Sequence, residues 1–137
     1  MMKVLILCTG NSCRSQMAEG WLKHFSPDAQ VFSAGTHPDA VNKYAIQVME
    51  EVGIDISDHT SNNVNEYINT DIDFVITVCD NAKEICPIYP KVKHMIHQSF
   101  TDPADAKGTE QEQLRVYVEV RDQLSDYFKA FAEDKLS

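Results

Sequence analysis

An apolar run, Val4 to Leu7, passes without a spacer into Cys8-Thr-Gly-Asn-Ser-Cys-Arg-Ser15, and the residues that follow read as an amphipathic helix. This junction constrains the fold more than any other stretch, because a short buried strand that turns directly into a helix belongs to a parallel α/β sheet. Such a turn directs successive backbone N–H groups inward beside a helix N-terminus, and that nest binds a tetrahedral anion without needing a side chain. Cys8 and Arg14 bracket Gly10 and Asn11, which suit unusual backbone angles, and Ser15 stands at the expected N-cap. Arg14 adds a planar fork to the same anion and, with the loop amides, sets Cys8 in a positive field. The expected roles are therefore specific. Cys8 is a nucleophile toward the oxyanion's central atom, Arg14 holds the equatorial oxygens with Thr9, Gly10, Asn11, Ser12 and Cys13, and Ser15 donates a hydrogen bond to the attacking sulfur.

The rest of the chain alternates in the same sense. Strands are expected at Lys3 to Cys8, Val31 to Ala34, Phe74 to Cys79 and Lys93 to Ile96. Helices are expected at Ser15 to Phe25, closed by Ser26-Pro27-Asp28, at Asn42 to Val52, closed by Gly53, and from Thr109 onward. In the last helix Leu114, Val118, Arg121, Leu124, Phe128 and Phe131 lie near one stripe. Ser57 to Asp71 reads as loop with one short helix near Val64 to Ile68, Asp80 to Pro90 as an excursion, and Gln98 to Gly108 as a loop holding Asp102-Pro103. This pattern predicts one α/β domain over residues 1–137, three layers deep, with a four-stranded parallel sheet and helices on both faces. Ligands in such sheets sit at the carboxyl ends of the strands, so Cys8, Cys79 and the Asp102 loop are expected at one edge.

Composition narrows the partners. Twelve Lys and Arg against 21 Asp and Glu leave a net charge of −9, which argues against a nucleic-acid partner. An anionic substrate must then be held by local geometry rather than by the overall field. No apolar run approaches a membrane span and no leader pattern follows Met1-Met2-Lys3, so the expectation is a cytoplasmic monomer with its four cysteines reduced at rest. No His or Cys pair completes a metal site, and the five histidines fit surface or loop roles.

Cys8-Thr-Gly-Asn-Ser-Cys-Arg-Ser15, followed by Gln-Met-Ala-Glu-Gly20, resembles the signature of the low-molecular-weight protein tyrosine phosphatase fold, in wording nearest to its thioredoxin-coupled arsenate reductases. Ser33-Ala-Gly35 and Gly53-Ile-Asp-Ile56 extend the resemblance over almost the whole chain. It implies that Asp102 is the general acid that protonates the leaving oxygen. It also implies a relay: Cys8 forms a thiol–arsenate adduct, Cys79 attacks the Cys8 sulfur so that arsenite leaves, and Cys86 moves the disulfide outward. Thioredoxin would be the external reductant, with no tightly bound cofactor. The alternative is a phosphatase that hydrolyses phosphate monoesters through a cysteinyl-phosphate. That enzyme needs neither Cys79 nor Cys86, and its Asp-Pro is commonly followed by an aromatic residue where this chain has Ala104. Cys13 resembles the second loop cysteine of the phosphatases and equally suits a small buried position.

Overall fold

The computed structural model describes residues 1–78 and 92–136. Its sheet contains β1 (Lys3–Cys8), β2 (Gln30–Gly35), β3 (Ile72–Thr77) and β4 (Val92–His97), all parallel, in the spatial order β2-β1-β3-β4. The helices are α1 (Arg14–Phe25), α2 (Lys43–Glu50) and α3 (Glu110–Phe131), with 3-10 turns at Val64–Tyr67 and Pro103–Asp105 and a π-helical turn at Ala132–Leu136.

Alternation along β1 explains why its apolar run is unbroken. Val4, Ile6 and Cys8 face one core with Met17, Leu22, Leu124 and Phe128, whereas Leu5 and Leu7 face the other with Ala34, Ile72, Val75 and Val64. The first core lies between the sheet and α1, α2 and α3. Among the described residues the second is closed by the segment that carries the Val64–Tyr67 turn. Burying each of these aliphatic side chains contributes roughly 1.5–3 kcal/mol, which fixes β1 at the centre of the sheet.

The chain leaves β1 to build β2 on one side and later returns to build β3 on the other. β1 is thus the strand at which the topology reverses, and its carboxyl end opens into the crevice where such sheets bind ligands. Cys8 is the last residue of that strand.

Several boundaries differ from those read in the sequence. Strand β3 begins at Ile72 and ends at Thr77, while Val78 continues the edge by donating from its N–H to Leu7 O at 2.9 Å. Helix α1 starts one residue early, with Cys13 at the N-cap making no side-chain cap bond, so Ser15 lies inside the first turn. On α3 the buried positions are Tyr117, Val120, Arg121, Leu124, Phe128 and Phe131, and Leu114 and Val118 are only partly covered. Four of the six positions expected on the stripe are thus buried, and the difference is confined to the first turns of the helix. Among the described residues no helix is long and apolar enough to cross a membrane.

Candidate active site

The loop from Cys8 to Arg14 is shaped by where its carbonyls go. Thr9 O accepts from the N–H of His37 at 2.9 Å, Gly10 O from Asp39 at 2.8 Å and Ser12 O from Asn42 at 2.9 Å. Asn11 O accepts from Gln16 Nε2 at 2.9 Å and Ser61 Oγ at 2.8 Å, and Cys13 O accepts from Met17 N at 2.9 Å as α1 begins. In a trans peptide unit the C=O of one residue and the N–H of the next point in opposite directions. With these carbonyls drawn outward, the amides that follow them, from Gly10 to Arg14, are left pointing the other way, as an anion-binding nest requires. Of the two residues expected to take unusual angles, Asn11 does so at φ 48°, and Gly10 has no positive φ.

Asn11 also sets the proton positions beneath the loop. Its Oδ1 accepts from the Asn62 N–H at 2.8 Å, which fixes the orientation of the amide. Its Nδ2 then donates to Ser15 Oγ at 2.8 Å and to Ser33 Oγ at 2.9 Å. Ser33 passes its own proton to Glu19 Oε1 at 2.6 Å. Ser15, already accepting from Asn11, has its hydroxyl proton for Cys8 Sγ, 2.9 Å away. Ser15 and Cys8 are therefore hydrogen-bonded, with the serine inside the helix rather than at its N-cap.

Arg14 is buried and spans toward the third expected group. Its Nη1 donates to Phe100 O at 3.2 Å and its Nη2 to Asp102 Oδ2 at 3.4 Å. Asp102 precedes Pro103 at the start of the 3-10 turn, and its Oδ1 accepts from Ala104 N at 3.0 Å, which orients the carboxyl. The carboxyl end of β1 and the loop after β4 thus bring Cys8, Arg14 and Asp102 together across 88 positions of sequence between the arginine and the acid. Cys13 lies behind the loop, where burial pushes its thiol up to about 11. Cys79 and Cys86 lie outside the described residues.

A family model described as low molecular weight phosphotyrosine protein phosphatase matches residues 3–136. The chain belongs to that family. Among curated proteins, the arsenate reductase of Halalkalibacterium halodurans is 45% identical over 131 residues, covering 95% of this chain and 94% of the relative. A solved arsenate reductase in its phosphate-binding state superposes with a TM-score of 0.84 at 34% identity, covering 97% of this chain and 98% of the other. The thioredoxin-dependent arsenate reductase of Corynebacterium glutamicum superposes with a TM-score of 0.67 at 25% identity, over 98% of this chain and 64% of that one. The four-stranded parallel sheet agrees with this membership.

Two supporting residues had not been given a role in the sequence reading. Glu19 carries the Ser33 hydrogen bond, pairs with Lys23 Nζ at 2.5 Å, and faces His59, whose imidazole is held below its ordinary range by burial and drawn upward by Glu19. Gly35 is the other: a Cβ there would stand 2.4 Å from Thr9 O and 3.0 Å from Cys8 O, so only glycine lets β2 pass beneath the loop. Its signal was present in Ser33-Ala-Gly35, but the contact that requires it is long-range.

Proposed function

We propose that this phosphatase-family chain is an arsenate reductase, and the observation that carries the reading is the Cys8 sulfur held 2.9 Å from Ser15 Oγ within an inward-turned amide loop. Arsenate occupies the nest, with its oxygens on the amides of Gly10 to Arg14 and on the Arg14 guanidinium. Cys8 Sγ attacks arsenic and an As–O bond breaks, with Asp102 supplying the proton that lets the oxygen depart as water. The product is a Cys8–S–As(V) adduct.

Cys79 then attacks Cys8 Sγ. A Cys8–Cys79 disulfide forms, the electron pair of the S–As bond remains on arsenic, and arsenite leaves as As(III). Cys86 attacks the Cys79 sulfur, Cys8 is released as a thiolate, and the two electrons gained by arsenic are balanced by one Cys79–Cys86 disulfide. A dithiol protein of the thioredoxin class reduces it. The identity to named arsenate reductases and the presence of Cys79 and Cys86 in the sequence support this outcome over hydrolysis.

The test is arsenite formation with thioredoxin, thioredoxin reductase and NADPH, run beside hydrolysis of an aryl phosphate. Steady arsenite release that Cys86→Ser abolishes supports the relay. Turnover by Cys86→Ser at the wild-type rate rejects it, and hydrolysis without arsenite formation assigns the chain to the phosphatases.

A further inference from the structure

Behind the loop, Cys13 meets a residue contributed by the far end of the chain. Tyr117 projects from α3 with its ring buried, edge-on to Tyr44 at a centroid distance of 5.5 Å. Its hydroxyl lies 3.9 Å from Cys13 Sγ.

Asn42 ties this contact to the loop. Its Oδ1 caps α2 by accepting from Tyr44 N at 2.8 Å and Ala45 N at 3.1 Å, and its own N–H donates to Ser12 O at 2.9 Å. The Tyr117 hydroxyl and the Cys13 thiol share one hydrogen bond. The peptide between Ser12 and Cys13 is gripped at its carbonyl by Asn42, and Cys13 is gripped at its side chain by Tyr117.

We infer that Tyr117 is a positioning residue for the oxyanion loop: its hydroxyl, through Cys13 Sγ, fixes the peptide units whose Cys13 and Arg14 amides hold the anion. The inference rests on the oxyanion reading of the loop. It assigns Cys13 a role as the loop's buried anchor rather than as a thiol that exchanges. Nothing in the motif from Cys8 to Ser15 points to a phenol 104 positions beyond Cys13.

The experiment measures the inorganic phosphate needed to protect Cys8 from iodoacetamide, read on the Cys8 peptide by mass spectrometry. It compares wild type with Tyr117→Phe, Cys13→Ala and the double variant, alongside KM and kcat for arsenate. Tyr117→Phe is expected to raise the protecting concentration and KM about fivefold with kcat within about twofold, the scale of one modest hydrogen bond used in binding. The double variant is expected to need no more phosphate than Cys13→Ala alone, because both changes remove one contact. An unchanged phosphate requirement in Tyr117→Phe, whatever happens to its melting temperature, overturns the inference, as does multiplication of the two effects. If phosphate fails to protect Cys8 in the wild type, the oxyanion reading itself falls and this inference with it. Protection of wild type and Tyr117→Phe at equal concentration leaves that reading standing and removes only Tyr117.

Discussion

Ser15 Oγ stands 2.9 Å from Cys8 Sγ with Asn11 Nδ2 donating to it from 2.8 Å on the other side, so the serine proton is aimed at sulfur. A hydrogen bond of this kind contributes roughly 0.5–1.5 kcal/mol, and in the proposed relay it would also act on the Cys8 sulfur as that sulfur leaves. Ser15→Ala is expected to lower kcat for arsenate by up to about tenfold with a smaller change in KM. Equal kcat in steady-state assays would remove Ser15 from the mechanism.

Asp102 lies against Arg14 in the resting site, its Oδ2 3.4 Å from Nη2. Replacing it with asparagine removes the proposed proton donor while leaving the Arg14 guanidinium in place. Asp102→Asn is expected to reduce kcat by about 10²–10⁴, the usual range for a general acid, with phosphate protection of Cys8 retained. Initial rates on arsenate and on an aryl phosphate should fall together, whereas a thiol switch with no enzymatic step would show no dependence on Asp102.

How much of this was legible in the chain depended on distance along it. The strand, loop and first helix were readable because Cys8 and Arg14 share one local turn. The edge that carries Asp102 followed from the βαβ pattern and the rule for carboxyl ends, and the Arg14–Asp102 contact agrees with it. What periodicity could not supply was the support beneath the loop. Asn11 reaches Ser33 and Asn62, and Gln16 reaches Thr60, through crossovers that only the sheet order brings together. On α3 the expected stripe holds at Arg121, Leu124, Phe128 and Phe131 and differs only in the first turns, where Tyr117 and Val120 are buried and Leu114 and Val118 are partly covered.

Gly35 is the position at which the second strand passes under the loop. A Cβ added there would meet Thr9 O at 2.4 Å, and the obstacle is backbone that cannot rotate away. Gly35→Ala is expected to destabilise the protein by about 1–3 kcal/mol and to displace the Thr9 carbonyl, weakening phosphate protection of Cys8. Urea midpoints and the protection assay check the two effects, and a variant with wild-type values in both would show that β2 has room to shift.

The buried Cys13 thiol, pushed from 9.0 to about 11 chiefly by burial, makes stability depend on alkaline pH. The folded state keeps this proton to a higher pH than the unfolded chain. Its contribution is therefore fully present below about pH 9 and lost as pH rises toward 11, with a size of about 2–3 kcal/mol. Cys13→Ala is expected to lose less stability than wild type between pH 9 and 11 in urea unfolding. Parallel losses in the two proteins would assign the alkaline transition to other groups.

The account depends most on what happens to the sulfur of Cys8 after it has bound arsenic. One measurement reads this directly: a disulfide map by peptide mass spectrometry after a single arsenate turnover without reductant, with released arsenite counted against enzyme. Wild type is expected to yield about one arsenite per chain and a Cys79–Cys86 disulfide, and Cys86→Ser to stop at Cys8–Cys79. Arsenite release with all four thiols still reduced, or a map in which Cys79 and Cys86 never pair, would contradict the relay.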